Sequence, residues 1–115
     1  MATMLAFRTP PGGVDIPVGQ TQRLGFVDVH QFERIRLFAG VIVGGLGPVK
    51  VLIIAMEGNE AFGPLDELTV QPGSNVTKVY EVPGTRLEIS ATTTGAMKGS
   101  SKVIVLVNGF ADSAR

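Results

Sequence analysis

The chain has 115 residues, with ten basic and ten acidic side chains that give zero formal net charge at pH 7, and it has no cysteine. Its length fits a single domain around one core, and the missing cysteine excludes disulfides, thiolate catalysis and cysteine-ligated zinc. The balanced charge argues against nucleic acid or an anionic membrane as a partner, because both attract clustered Lys and Arg.

Apolar and polar residues alternate with a period of two, and no window shows the 3.6-residue period of a helix. Fifteen glycines and seven prolines divide the pattern into short runs. The predicted strands are 4–8, 14–18, 22–29, 33–43, 49–57, 65–71, 76–82, 86–94 and 102–110. They predict an all-β fold over residues 1–115, an antiparallel β-sandwich of jelly-roll-like type, with a barrel as the alternative.

Alternation also predicts which side chains share a face. In the strand 33–43, the odd-numbered positions from Ile35 to Ala39 lie on one side and the even-numbered positions on the other. In the strand 22–29, the even-numbered positions from Leu24 to Asp28 share a face. The glycine-rich segment 44–48 is predicted to be a hairpin loop between two neighbouring strands.

The second half of the chain resembles the first half when shifted by 52 positions. Residues 16–55 align with 68–107 without a gap and share seven identical residues, where chance gives roughly two or three. This similarity predicts two equivalent halves, each built on a hairpin, 33–57 and 86–110. Either a true duplication or the shared patterning of two hairpins explains the similarity.

Two predicted strands are apolar on both faces within the segments 51–55 and 103–107. A sandwich strand normally has one face in water, so the outer face of each must be covered. The N-terminal segment or another subunit could cover it, and the little spare chain favours a subunit. The residues predicted to form an oligomer interface, or a buried outer face, are Leu52, Ile54, Ile104 and Leu106.

His30 is the only histidine, and Asp28 and Glu33 lie near it in the sequence. Such groups can ligate a divalent metal. A single histidine with unspecific spacing nevertheless favours ordinary polar residues at the end of a strand. No serine lies in a nucleophile elbow. We therefore predict no catalytic residue, no metal site and no cofactor.

These observations favour a non-enzymatic structural or assembly protein whose partner is itself, as a homo-oligomer or within a larger protein assembly. The alternative is a small carbohydrate- or ligand-binding module that uses the loops 44–48, 58–64 and 95–101. The N-terminus lacks the pattern of a secretory signal, and no apolar run is long enough to cross a bilayer. A cytoplasmic or virion-associated location is therefore expected.

Overall fold

A computed structural model describes residues 2–43, 45–82, 84–95 and 98–111. Their strands are β1 (Ala2–Arg8), β2 (Val14–Pro17), β3 (Thr21–Asp28), β4 (Arg34–Val41), β5 (Val49–Glu57), β6 (Glu60–Val70), β7 (Asn75–Glu81), β8 (Arg86–Thr93) and β9 (Ser100–Ala111). The predicted boundaries agree to within two residues except at the start of β6, which begins at Glu60 and not at 65.

The strands form two antiparallel sheets. Sheet A has the order β1-β9-β4-β7, and β2 pairs with the same edge of β9 as β1 does. Sheet B has the order β3-β8-β5-β6. Without β1, these orders are those of an eight-stranded jelly roll built from two Greek keys, so the predicted fold class is confirmed.

The predicted hairpins 33–57 and 86–110 are wrong. β4 pairs with β7 and β9 in sheet A, whereas β5 pairs with β6 and β8 in sheet B. The β4–β5 and β8–β9 connections each cross from one sheet to the other, a distance of about 10 Å. They lie side by side at one end of the sandwich, where the amide of Leu46 donates to the carbonyl of Ser100 at 3.3 Å.

The shift of 52 positions exchanges the two sheets. It maps β2, β3, β4 and β5 onto β6, β7, β8 and β9, and each strand falls in the opposite sheet. Arg34 pairs with Phe110. Subtracting and adding 52 gives the corresponding pair in the other sheet, Arg86 with position 58. Arg86 pairs instead with Met56, two residues from the expected position. The two halves are therefore interleaved in the strand order, and the structural equivalence of the halves stays a prediction. Their origin by duplication stays a prediction.

The core lies between the inner faces of the sheets. The predicted inner face of β4, from Ile35 to Ala39, is fully buried, and the matching positions of β8, from Leu87 to Ala91, are buried too. Burial of each large aliphatic side chain contributes about 1.5–3 kcal/mol. The other fully buried large side chains are Ile16, Val27, Val29, Val49, Val51, Ile53, Val70, Val103, Val105 and Val107.

The predicted face of β3 is wrong beyond Leu24. The pairing of β3 with β8 shifts between Arg23 and Gly25, and this bulge changes the phase of the alternation. Leu24 packs against the core, but Val27 is the next buried residue, and Phe26 lies on the outer surface. Alternation cannot reveal a bulge, because one extra residue moves every later side chain to the opposite face.

The N-terminal strand extends sheet A at its edge and does not lie over the outer face. β1 pairs with the second half of β9, and β2 pairs with the first half. The idea that the N-terminal segment covers the apolar outer face is therefore wrong. At this edge the ring of Phe7 packs against Gly25, where a Cβ atom would lie 2.7 Å from the Phe7 Cε1 atom.

Candidate functional site

The four residues predicted at an interface lie on two opposite surfaces. Leu52 and Ile54 are on the outer face of sheet B, and Ile104 and Leu106 are on the outer face of sheet A. All four side chains are half-buried. They cannot form one continuous surface, because the sandwich separates the two pairs.

The surroundings of the two pairs differ. In sheet B, Leu52 pairs with Glu67 on one side and Ser90 on the other, and Ile54 pairs with Glu88. In sheet A, Leu106 pairs with Phe38, and Ile104 pairs with Gly40. Leu52 and Ile54 therefore each have a carboxylate beside them, although Ile54 also lies opposite Pro64, whereas the apolar side chains of sheet A continue from β9 onto β4.

The outer face of sheet A carries a group of neighbouring apolar side chains, which we call the apolar face. Two of its members are strongly exposed, Val43 at 81% and Val79 at 56%. Gly40 has no side chain to fill the space beside the Phe38 ring, and a recess of about 240 Å³ lies there. The apolar face consists of Phe38, Val43, Val79, Ile104 and Leu106.

A second recess, of about 320 Å³, is lined on one side by Ile42 and Val43. Its polar lining includes Asp15, Ser100 and Lys102. The Ser100 hydroxyl donates to Asp15 Oδ1 at 2.7 Å, and Asp15 lies opposite Lys102 in the pairing of β2 with β9. This arrangement offers one cation and one hydroxyl-bound carboxylate to a small polar molecule.

The outer face of sheet B carries ion pairs in addition to Leu52 and Ile54. Arg23 Nε lies 3.0 Å from Glu88 Oε1, and Arg86 Nε lies 3.2 Å from Asp28 Oδ1. The guanidinium groups of Arg23 and Arg86 also lie 4.9 and 4.8 Å from the centre of the Phe26 ring. Such cation–π contacts add to the ion pairs, so these charges are largely satisfied within the molecule.

Asp28 and His30 do not belong to a cluster of three possible metal ligands among the described residues. Asp28 is paired with Arg86, and His30 is exposed in the connection after β3. Across residues 2–43, 45–82, 84–95 and 98–111, no group of three His, Asp or Glu side chains is placed to hold a metal ion. The same residues include no helix long and apolar enough to cross a membrane.

One edge of the sandwich is joined by a polar contact between β6 and β7. Tyr80 donates its hydroxyl hydrogen to Asp66 Oδ2 at 2.7 Å, Lys78 Nζ lies 3.4 Å from the same oxygen, and the Glu67 amide donates to Asp66 Oδ1 at 2.8 Å. The Tyr80 bond holds the pKa of Asp66 below its usual value, although burial acts in the opposite direction. Burial, with a smaller effect of Asp66, raises the pKa of Tyr80.

Sequence reasoning missed part of this site. Alternation placed Phe38 on the outer face, but it did not single out Gly40 and Val43 as residues that share a recess with Ile104. It did not place Val79 diagonally from Phe38 on the next strand either. The contact between Asp66 and Tyr80 was missed too. The available signal was Asp66 itself, a carboxylate at an inward position of β6 opposite buried Ile53.

No known protein family matches the chain, and no curated protein matches its sequence. Solved structures share its fold. One, described as "Bacillus endospore appendages form a novel family of disulfide-linked pili", matches with a TM-score of 0.52 and 13% identity over 97% of this chain and 93% of that chain. Another, "Crystal Structure of Tripeptidyl Peptidase 2 (TPP II)", matches with a TM-score of 0.63 and 13% identity over 86% of this chain and 9% of that chain. At such identities the likeness shows the fold alone.

Proposed function

We propose that the protein is a non-enzymatic structural building block that binds further copies of itself. The observation that carries this proposal is the apolar face of sheet A. Ile104 and Leu106 on β9 lie beside Phe38 on β4, and all three are half-exposed in the single chain. The more exposed Val43 lines the same recess, and the exposed Val79 lies diagonally from Phe38 on β7. Contiguous exposed apolar surface marks interaction sites more often than isolated apolar residues do.

The surroundings of the apolar face suit an interface. Lys102 lies beyond Ile104 on β9, and Arg36 stands over the Phe110 ring at 5.3 Å. An apolar centre with a polar rim is the usual anatomy of a protein–protein contact, and a stable contact buries about 800 Å² on each partner. The zero net charge of the chain adds little repulsion between copies.

The comparison with the endospore appendage protein supports the same proposal. That protein is described as forming disulfide-linked pili, and its fold matches this chain over almost the whole length of both. This chain has no cysteine, so its own association would be non-covalent. The peptidase match supports no catalytic role here, because the chain covers only 9% of that protein.

Within this proposal, Ile104 and Leu106 lie in the main contact. Leu52 and Ile54 are candidates for a second, weaker contact, because Glu67 and Glu88 stand beside them. A cytoplasmic or virion-associated location stays a prediction.

The test compares Leu106→Glu with Leu52→Glu by sedimentation velocity over a range of protein concentrations. Both residues are half-buried at the centre of an outer face, so the two variants are matched in burial and in added charge. We expect Leu106→Glu to weaken self-association by about tenfold or more, because a charge at the centre of an interface is desolvated. We expect a smaller effect from Leu52→Glu.

The control is the unfolding transition of each variant, which must remain cooperative for the comparison to count. If Leu106→Glu loses the fold, Val79→Glu replaces it, because Val79 is 56% exposed on the same face. A wild-type protein that stays monomeric at all concentrations contradicts the proposal, and so does a folded Val79→Glu variant that associates as strongly as the wild type.

A second candidate function is the binding of a small polar molecule, such as a sugar, in the recess beside Asp15, Ser100 and Lys102. Its support is the Ser100–Asp15 hydrogen bond at the wall of an open recess of about 320 Å³. A thermal-shift screen with sugars tests it. We expect stabilisation by a ligand that is lost in Ser100→Ala, and no response to any sugar would contradict this function.

A further inference from the structure

The two ends of the sandwich are built from different connections. At one end the Val18 amide donates to the Gly99 carbonyl at 2.9 Å, and the Thr94 amide donates to the Pro48 carbonyl at 2.9 Å. At the other end the Val29 amide donates to the Thr85 carbonyl at 2.9 Å. The antiparallel strand order places the β2–β3, β4–β5, β6–β7 and β8–β9 connections at the first end and the β3–β4, β5–β6 and β7–β8 connections at the second, so the two ends are unlike each other.

The end with the β4–β5 and β8–β9 connections is basic. Three lysines lie at this end with a single carboxylate, so the described residues give it a net charge of +2. Lys50 and Lys102 are equivalent under the shift of 52 positions and lie near this end on opposite outer faces. Leu46 is 44% exposed at the same end. The charged residues of the basic end are Asp15, Lys50, Lys98 and Lys102.

The opposite end is acidic. Apart from the Asp28–Arg86 ion pair, it holds four carboxylates and one guanidinium in the described residues, a net charge of −3. Phe62, which follows this end on β6, is 64% exposed. The charged residues of the acidic end, outside that ion pair, are Glu33, Arg34, Glu57, Glu60 and Glu81.

We propose that copies of the chain join end to end, with the basic end of one copy against the acidic end of the next. This inference rests on the proposed function of self-association and adds a second surface to it. Opposite charges attract the unlike ends, whereas two basic ends or two acidic ends repel each other. A contact between two different surfaces repeats without closing unless a rotation brings it back, so it produces a row of copies with one direction.

The first test is the salt dependence of association. The range of charge attraction falls from about 30 Å at about 0.01 M salt to about 3 Å at about 1 M salt. We expect the end-to-end contact to weaken as salt is added. Burial of apolar side chains in the face contact does not weaken in this way. Sedimentation velocity of Leu106→Glu, or of Val79→Glu if the former does not fold, isolates the end-to-end contact.

The second test reverses the charges at one end at a time. Lys50→Glu with Lys102→Glu gives the basic end a net charge of −2, so both ends become acidic. Glu57→Lys with Glu60→Lys gives the acidic end a net charge of +1, so both ends become basic. We expect each double variant alone to lose end-to-end association by about tenfold or more, and a mixture of the two to associate again.

The quadruple variant combines all four changes and restores zero net charge with the polarity reversed. We expect it to associate as the wild type does. Lys78→Gln is the control, because Lys78 is an exposed charge at the middle of β7, away from both ends and outside the outer-face contacts. It should leave the salt dependence unchanged.

The outcomes separate the two proposals. One outcome overturns the end-to-end contact and leaves the face contact in place. In that outcome, association does not change with salt or charge reversal, but it is lost in Leu106→Glu or Val79→Glu. A wild-type protein that stays monomeric in about 0.01 M salt overturns both. Failure of the mixed double variants to associate also contradicts the end-to-end contact.

Discussion

The two sheets are alike on their inner faces and unlike on their outer faces. Under the shift of 52 positions, Ile35, Leu37 and Ala39 of β4 correspond to Leu87, Ile89 and Ala91 of β8, and all are buried. On the outside, Leu106 meets Phe38 in sheet A, whereas Leu52 meets Glu67 and Ser90 in sheet B. Residues that share one core must fit each other, whereas the two outer faces do not contact each other and need not match.

The two long edges of the sandwich differ in a similar way. The ring of Phe7 packs on Gly25 at the edge formed by β1 and β3. At the edge formed by β6 and β7, Tyr80 and Lys78 contact Asp66. One edge is therefore closed by an apolar contact and the other by a charge-assisted hydrogen bond, and the two should respond differently to pH.

The largest expected effect is on the matched inner faces. We expect Leu37→Ala and Ile89→Ala each to lower the free energy of unfolding by about 2–5 kcal/mol, because each leaves a cavity in the core. Urea denaturation measures both. The likeness of the inner faces predicts losses of similar size. If only one variant lost less than about 1 kcal/mol of unfolding free energy, the two inner faces would not be equivalent.

A smaller effect separates an inner from an outer glycine of sheet A. A Cβ at Gly109 would overlap the buried ring of Phe32, whereas a Cβ at Gly40 would lie 3.2 Å from the half-exposed ring of Phe38. We expect Gly109→Ala to cost about 1–3 kcal/mol of stability through overpacking.

For Gly40→Ala we expect a stability change within about 1 kcal/mol, because the Phe38 ring can move outward. The same variant should fill part of the recess and weaken self-association. Urea denaturation measures the stability of both variants, and sedimentation velocity measures their self-association. Equal destabilisation by the two substitutions would show that the outer face tolerates no more volume than the inner face.

The smallest expected effect is at the polar edge. The pKa of Asp66 is lowered in the folded state from its usual 3.8, so its ionised form stabilises the fold at neutral pH. This stabilisation is complete above the unfolded pKa and is lost as the pH falls through the lower folded pKa. We expect this contact to contribute less than about 1 kcal/mol to the free energy of unfolding, because the side chains are partly exposed.

Unfolding of the wild type and of Asp66→Asn at pH 7 and below pH 3.8 measures this contribution. The wild type should be the more stable of the two at pH 7, and the difference should shrink in acid. Tyr80 acts in the opposite pH range, because its pKa is raised from 10.0, so its contribution is lost as the pH rises above 10. A pH-independent difference between wild type and Asp66→Asn would contradict the assigned role.

Much of the fold could be predicted from the sequence because alternation and turn residues are local signals. They located the nine strands, and the inner face of β4 was predicted residue by residue. The partners of β4 and β5 could not be predicted in this way, since a strand that crosses to the other sheet has the same alternation as one that turns back in a hairpin. The bulge near Leu24 left no local signal either.

The candidate site was only partly predictable for the same reason. Alternation identified Ile104 and Leu106, like Leu52 and Ile54, as outer-face residues, but it did not reveal the sheet in which each pair lies. The structure places the pairs in opposite sheets. Phe38 meets Leu106 only through a pairing between distant segments of the chain. The charge difference between the ends likewise depends on which connections meet there.

The position of β9 has a consequence for how the chain folds during its synthesis. β9 follows the other described strands in the chain, yet it lies between β4 on one side and β1 and β2 on the other. β1 and β2 are synthesised before the strands of sheet B, and their partner β9 is made about a hundred residues later, since Ala2 pairs with Ala111. The strands of sheet B can pair before then. Sheet A can therefore be completed only after β9 has been made, and pairing between such distant segments is intrinsically slow.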